Sequence, residues 1–146
     1  MDKIQIEFSK AQYRTLLKLI YLGEWLHESY QDQESKDVKD LVQLIYSYTY
    51  EEDAEKMIEF SDKLRTYFPT KAMEQIIHRI VDEYDEYTFW EELVHNMANK
   101  DFYEKYGEEL ISQMSLEEKI TQEQPFIDKY MDEFETNGLN NLIIKE

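Results

Sequence analysis

The hydrophobic and polar positions at the start of the chain follow two different periods. Residues 3–8, KIQIEF, alternate apolar and polar side chains, which predicts a short strand. Ser9 then opens SKAQ, a sequence typical of the capping box that starts a helix. Apolar residues continue at helical spacing to about residue 30, and leucines lie on more than one side of this stretch. We therefore expect a first helix near the centre of the fold.

The middle of the chain predicts three more helices. Ser35 is placed to cap the second, and a third is expected over residues 51–67. Pro69 would end the third helix, because the residue before a proline is pushed out of the α region. Thr70 would then cap the fourth. The apolar positions that predict these helices are Val38, Leu41, Val42, Ile45 and Tyr48 in the second, Ala54, Met57, Ile58, Ser61 and Leu64 in the third, and Met73, Ile76, Ile77, Ile80, Val81 and Tyr84 in the fourth.

Capping signals divide the following stretch into shorter helices. Thr88 begins TFWE, a capping box with Glu91 at the third helical position, so a fifth helix is predicted to about residue 100. Residues 85–87 would form the break between the fourth and fifth helices. Asp101 is expected to start a short helix that ends at Gly107.

The last part of the chain predicts further helix and a second short strand. Ser115 opens SLEE, another capping box, and Pro125 either kinks that helix or starts a new one. Asn137 and Gly138 form a plausible C-terminal cap. The run NLIIKE, residues 141–146, is rich in β-branched side chains and too short for a helix, so we expect it to pair with KIQIEF.

These elements together predict a mainly α fold. We expect a compact bundle of about five to seven helices, with a short two-stranded β pairing of the N- and C-terminal segments. The 146 residues fit one helical domain, 1–146. Hydrophobic residues make up 42% of the chain, which is enough for a core, while three Gly and two Pro leave little turn material for a many-stranded sheet.

Cysteine content and the longest apolar runs exclude several classes of protein. The chain has no cysteine, which excludes disulfides, thiolate metal sites and cysteine nucleophiles. The start, MDKIQIEFSK, lacks the basic and apolar regions of a signal peptide. The longest apolar stretch, near LLKLIYLGEWL, is too short to span a bilayer. The sequence therefore predicts a soluble, cytoplasmic protein.

Negative charge accumulates in the second half of the chain. The formal net charge is −17, from 33 acidic and 16 basic residues. Residues 1–73 carry a net charge of −4 and residues 74–146 a net charge of −13. Binding to nucleic acid needs clustered lysine or arginine, and this chain has no such cluster. We therefore expect no direct binding of nucleic acid and no binding of anionic membranes.

The stretch DEYDEYTFWEE, residues 82–92, combines six carboxylates with four aromatic side chains. If Thr88 caps a helix, Glu91 and Glu92 lie in its first turn, where negative charge favours the helix dipole, and Phe89 and Trp90 turn to the core. The carboxylates before Thr88 then have no structural explanation. We predict a surface for a partner there, formed by Asp82, Glu83, Asp85, Glu86 and Tyr87.

Two Glu-x-x-His pairs are the strongest metal-binding candidates: Glu24 with His27, and Glu92 with His95. Carboxylate-bridged di-metal proteins place two such pairs inside a four-helix bundle. Glu24 and His27 could face inward, whereas Glu92 and His95 fall opposite the apolar arc of their helix. We therefore assign no catalytic, cofactor-binding or metal-binding residue from the sequence and expect no cofactor.

Three segments, YRTLLKLIYLGEWL, YDEYTFWEELVHNMANKDF and EFETNGLNNLIIKE, together resemble a group of small acidic helical bacterial proteins of unassigned function. The segments cover about a third of the chain, and none contains a catalytic signature. The resemblance implies a soluble bacterial helical domain and carries no activity with it.

Three hypotheses about function follow. The first is a non-enzymatic interaction or accessory domain whose acidic second half meets a basic protein partner or a second copy of itself. The second is a DNA-mimicking inhibitor of a nucleic-acid-binding protein, in which carboxylates imitate phosphates. The third is a metal-dependent or hydrolytic enzyme that uses the Glu-x-x-His pairs. The sequence favours the first and leans away from an enzyme.

Overall fold

Helices account for most of the residues that the computed structural model describes, which are 4–49 and 56–144. In chain order the elements are α1 (Lys10–Glu28), α2 (Lys36–Tyr46), β1 (Ile58–Ser61), β2 (Thr66–Pro69), α3 (Lys71–Gln113) and α4 (Leu116–Asn137). The chain divides into two compact units, Met1–Val81 and Asp82–Glu146, and α3 contributes residues to both. The expectation of one domain over residues 1–146 stays a prediction.

The first two helices lie where the sequence places them. The Ser9 hydroxyl accepts a hydrogen bond from the Gln12 backbone N–H at 3.3 Å, and the Gln12 side chain accepts one from the Ser9 N–H at 2.9 Å. The predicted capping box is thus confirmed at the start of α1. α1 is less central than expected, because its Leu17 is buried while Leu19 and Leu26 remain exposed.

A β-hairpin replaces much of the helix that the sequence predicted over residues 51–67. β1 and β2 pair in an antiparallel register from Ile58 opposite Pro69 to Ser61 opposite Thr66. Strand pairing wins because IEFS and TYFP are rich in aromatic and β-branched residues. Residues 62–65, DKLR, form the connecting turn, with Arg65 at a φ of 53°. Residues 51–55 of the predicted helix, including Ala54, lie outside the described residues.

Gln43 of α2 joins the hairpin to the helices. Its amide oxygen accepts hydrogen bonds from the Tyr67 N–H at 2.9 Å and from the Thr66 hydroxyl at 2.8 Å. Its amide nitrogen donates to the Tyr67 carbonyl at 3.0 Å. The side chain therefore pairs with the backbone of β2 much as a neighbouring strand would.

The hydrophobic core of the first unit lies between α1, α2, the hairpin and the first turns of α3. Its buried residues are Leu17, Val42, Tyr46, Met57, Ile58, Met73, Ile77 and Val81. Side chains on α1 and α2 that are partly buried, among them Trp25 and Ile45, pack around this cluster. Most of these residues were predicted to face inward. Ile80, Leu41 and Tyr48, however, are exposed.

α3 runs without interruption through the stretch where the sequence predicted a break. Residues 85–87 are helical, and Thr88 lies inside the helix rather than capping a new one. No Gly or Pro occurs between residues 71 and 106, so nothing in the backbone stops the helix there. The predicted end at Gly107 marks a real kink, where φ is 73° and ψ is 154°. A φ in this range is costly for other residues and open to glycine.

In the second unit, α3 and α4 pack antiparallel. The Trp90 and Phe134 rings lie 6.0 Å apart at one end of the contact, and Phe102 and Phe126 lie 6.2 Å apart farther along. Val94, Ala98, Tyr130 and Phe134 form the buried seam between the two helices. A polar interaction also joins the two helices, since Asp101 of α3 accepts hydrogen bonds from Lys129 Nζ and the Tyr130 hydroxyl of α4, each at 2.7 Å.

The caps predicted for α4 are confirmed at both ends. The Ser115 hydroxyl and the Glu118 carboxylate form a reciprocal capping box. Gly138 is the C-terminal cap, with a φ of 54° and its N–H bonded to the Phe134 carbonyl. Pro125 lies inside α4, which continues through it. The alternative of a new helix starting at Pro125 is therefore wrong.

The predicted pairing of the two terminal segments is also wrong for the described residues. Residues 4–8 and 140–144 form no strand, and Ile4 and Ile144 are 89% and 95% exposed. Three alternating apolar residues are a weak strand signal when no neighbouring strand completes the ladder. Within the described residues the protein thus has four helices rather than five to seven, and its two-stranded sheet is the hairpin β1–β2. No described helix is both long and apolar enough to cross a membrane.

Replacing Gln43 by alanine tests its role as the link between α2 and the hairpin. We expect Gln43→Ala to lower the free energy of unfolding by about 2–3 kcal/mol, because it leaves the Tyr67 N–H and carbonyl without their partners. Chemical denaturation measures this loss. Gln75→Ala, on an exposed face of α3, makes the same change in helix propensity and should cost less than about 0.5 kcal/mol. Equal losses in the two variants would contradict the proposed link.

The Asp101 contact predicts a defined dependence of stability on pH. Hydrogen bonds from Lys129 and Tyr130 hold the pKa of Asp101 below its ordinary value. Because the folded pKa is the lower one, the stabilisation is present at neutral pH and is lost as pH falls below about 4. We expect Asp101→Asn to cost about 1 kcal/mol at neutral pH and progressively less in acid. Urea denaturation at several pH values measures the difference.

The exposed Asp132 of α4 provides the control for this measurement. Asp132→Asn should change the free energy of unfolding by less than about 0.5 kcal/mol at neutral pH. If the cost of Asp101→Asn stays constant from neutral pH into acid, the ionised Asp101 is not the stabilising species.

Candidate functional site

An open groove of about 580 Å³ lies along the contact of α3 and α4 in the second unit. Its apolar floor combines aromatic, aliphatic and thioether side chains: Trp90, Val94, Ile127, Met131 and Phe134. Four polar or charged side chains complete the lining, namely Tyr87, Glu91, His95 and Glu135. The groove is therefore apolar at its base and carries carboxylates at its edges.

Helical spacing explains why these side chains share one groove. Tyr87, Trp90 and Val94 stand at positions i, i+3 and i+7 of α3, which is one face of a helix. Ile127, Met131 and Phe134 repeat nearly the same spacing on α4. The two faces border the buried seam, and the groove lies between them.

The exposed fraction of the side chains varies across the groove. Val94 and Phe134 are both 8% exposed, since they belong to the buried seam. Met131 is 55% exposed and Tyr87 is 62% exposed, although both have large apolar surfaces. An exposed apolar patch rimmed by polar groups is typical of an interaction site. Val94 and Phe134 are thus fixed by packing, whereas Met131 in the floor and Tyr87 at the rim are free to contact another molecule.

Two carboxylates, Glu91 and Glu135, lie at the rim of the groove, and the stretches of chain that contain them are strongly acidic. Residues 82–99 of α3 contain six acidic residues and no lysine or arginine. Residues 130–144 contain three acidic residues and likewise no lysine or arginine. The Tyr87 hydroxyl donates a hydrogen bond to Glu91 Oε1 at 2.9 Å, and this bond and the nearby charge raise the pKa of Tyr87. The groove therefore presents a negative field to any approaching ligand.

The structure places the five predicted surface residues, Asp82, Glu83, Asp85, Glu86 and Tyr87, on exposed positions of α3. They lie on consecutive turns of one helix rather than at a junction between two. Tyr87 reaches the groove, and the four carboxylates lie on the preceding turns. Sequence reasoning missed Met131 as a partner of this surface, because the pairing of α3 with α4 joins residues about 40 positions apart.

Phe89 and Trp90 were both predicted to turn toward the core. Trp90 does so in part, since it is half-buried and its ring packs against Phe134. Phe89 is exposed and contacts the edge of the Trp90 ring at a centroid distance of 5.1 Å. The uninterrupted helix explains the difference, because adjacent residues on a helix point about 100° apart and cannot both enter one seam.

The two Glu-x-x-His pairs lie in different units. Glu24 is half-buried in the first unit, where the His27 Nδ1 lies 3.0 Å from Glu28 Oε1. Glu92 and His95 are both exposed on α3 in the second unit, but His95 lines the groove, so the expected position opposite the apolar arc is wrong for His95. Among residues 4–49 and 56–144, no three His, Asp or Glu side chains are grouped as metal ligands. The geometry gives the di-metal hypothesis no support.

Comparisons of the chain with protein-family models, with curated proteins and with solved structures give no match. Function must therefore be argued from the groove, its charge and the packing of the described residues.

Proposed function

We propose that this protein is a soluble, cytoplasmic, non-enzymatic interaction domain whose second unit binds a basic amphipathic helix of a protein partner. One observation supports the proposal above all others. An apolar groove is exposed between α3 and α4, and the stretches of chain around it, residues 82–99 and 130–144, contain nine carboxylates and no lysine or arginine.

The shape of the groove favours a helix as the bound element. Two antiparallel helices offer a third helix the same kind of ridges and grooves that helices present to each other in bundles. A helix with apolar side chains at i, i+3 or i+4 and i+7 would place them over Trp90, Ile127 and Met131. Burial of Met131, now 55% exposed, would remove a large apolar surface from water.

The charge of the groove favours a basic partner. Residues 82–146 contain 18 acidic and 5 basic residues, a formal net charge of −13. Lysine or arginine flanking the apolar face of a helix would meet Glu91 and Glu135 at the rim, and also Glu83 and Glu86, which stand four residues before Tyr87 and Trp90 of the groove. Such complementary charges raise the rate of association and select against acidic partners. Salt should therefore weaken the complex, while the contribution of the apolar contacts to its affinity remains.

Met131 provides a direct test of the groove. The probe is a peptide of about 18 residues with leucines on one helical face and lysines elsewhere. We expect Met131→Glu to weaken its binding by about tenfold or more, because a charge enters the apolar floor. Fluorescence anisotropy of a labelled peptide measures the affinity.

Ile120→Glu is the matched control, since Ile120 is an equally exposed residue of α4 that does not line the groove. It should leave the affinity within about twofold of the unchanged protein. Equal effects of the two substitutions would contradict binding in the groove, as would equal binding of a peptide with the same composition in scrambled order.

Three further measurements, two of which use Met131→Glu, separate the competing hypotheses. If the protein is a DNA mimic, it captures a basic DNA-binding protein, and Met131→Glu leaves this capture unchanged. Replacing Asp82, Glu83, Asp85 and Glu86 by the corresponding amides would then abolish the capture. For self-association, the protein alone would sediment as a dimer that Met131→Glu dissociates. For a metal-dependent enzyme, the purified protein would contain stoichiometric metal that substitution of Glu24 or Glu92 removes.

A further inference from the structure

A second cavity, of about 500 Å³, lies in the first unit between α1, α2 and β2 and is unrelated to the groove on α3 and α4. Five aromatic side chains contribute to its wall, namely Tyr21, Trp25, Tyr46, Tyr67 and Phe68. Such a density of aromatic rings around one cavity is suited to a cation, because the face of each ring carries negative potential.

The Tyr46 hydroxyl is the unusual group of this cavity. Tyr46 is 1% exposed, and among the described residues its hydroxyl has no hydrogen-bond partner. Burial raises the pKa of Tyr46, and the charge of Glu24 raises it further. Buried hydroxyls are nearly always hydrogen-bonded, so an unpartnered one requires an explanation. A ligand that supplies the missing bond is such an explanation.

Glu24 is a second polar group of the cavity that has no hydrogen-bond partner among the described residues. It is half-buried in the wall of the cavity, and no described hydrogen bond or ion pair engages its carboxylate. Burial raises the pKa of Glu24, and repulsion from Glu28 and Glu34 adds to this effect, while the charge of Lys39 opposes it only in part. A positive ligand would relieve both the burial cost and the repulsion.

The other charges of the cavity are already engaged. Glu28 accepts hydrogen bonds from the Ser35 N–H, with its two oxygens each 3.2 Å from that nitrogen. Glu34 forms an ion pair with Lys39, the one cation among the described lining residues. Glu24, whose carboxylate no described hydrogen bond or ion pair engages, and the buried, unpartnered Tyr46 hydroxyl are therefore the two groups of the lining that a ligand would satisfy.

We propose that this cavity binds a small alkylammonium compound. Its N–H groups would donate hydrogen bonds to the Glu24 carboxylate and the Tyr46 hydroxyl, and its positive charge would lie against the aromatic rings. A bare metal ion fits less well, because no three His, Asp or Glu side chains among the described residues are grouped as ligands. The inference concerns the first unit alone and does not depend on the proposed function of the second.

Calorimetric titration of the full-length protein with 1,4-diaminobutane tests the proposal. We expect saturable binding of one molecule, no binding of the neutral 1,4-butanediol, and binding of tetramethylammonium that is at least about tenfold weaker because it has no N–H donor. Absence of saturable diamine binding would overturn the proposal. Equal binding of tetramethylammonium would overturn the role assigned to Glu24 and Tyr46 as hydrogen-bond acceptors.

Two substitutions with matched controls locate the site. Glu24→Gln should weaken diamine binding by about tenfold, and Tyr46→Phe should weaken it by about threefold to tenfold. Tyr46→Phe should not lower the melting temperature, because it removes a buried hydroxyl that has no partner. The controls Glu59→Gln and Tyr30→Phe alter exposed residues outside the cavity and should change the affinity by less than about twofold.

Non-specific attraction to this acidic protein is the competing explanation. It predicts that Glu24→Gln and Glu59→Gln weaken binding equally, and that result would overturn the site. Circular dichroism of every variant establishes that the fold is retained, so a loss confined to Glu24→Gln and Tyr46→Phe supports the cavity.

Discussion

Two helices packed against each other bury one seam and leave the remaining faces of both in water. This constraint governs the second unit, where α3 and α4 enclose Val94, Ala98, Tyr130 and Phe134 and the described residues 82–144 add no third helix or strand. Apolar side chains next to the seam therefore stay exposed. The groove follows from this one-sided packing, and the acidic residues at its edges give it a negative field.

The first unit satisfies its apolar faces in a different way. A hairpin covers the helices, and the Gln43 side chain joins it to α2 through three hydrogen bonds. The arrangement buries a tyrosine hydroxyl without a partner beside a half-buried carboxylate. Both groups raise the free energy of the folded state unless something binds them. One unit thus has an exposed apolar groove, and the other has an aromatic cavity with a carboxylate and an unpartnered hydroxyl, for which we propose chemically different ligands.

Local chemistry predicted the helix boundaries well where one capping residue decides them. Ser9, Ser115 and Gly138 cap helices as expected, because each cap needs only residues within three or four positions. Thr88 has the same capping signature, yet α3 passes through it, since a helix with no glycine or proline continues when its faces are packed. The hairpin was missed because its turn, DKLR, contains neither glycine nor proline.

For the candidate sites, the sequence supplied the acidic residues of α3 but not the groove, which depends on α4. It considered Glu24 as a metal ligand without assigning that role, and the unpartnered Tyr46 hydroxyl beside it exists only in the folded protein.

The most direct test of the groove is an NMR titration of the isotope-labelled protein with the leucine–lysine helical peptide. We expect the largest amide shift changes at residues 87–95 and 127–135, which form the two walls. Changes confined to residues 82–86 would show binding by charge alone, and the absence of changes in both walls would contradict the assignment of the groove as the binding site.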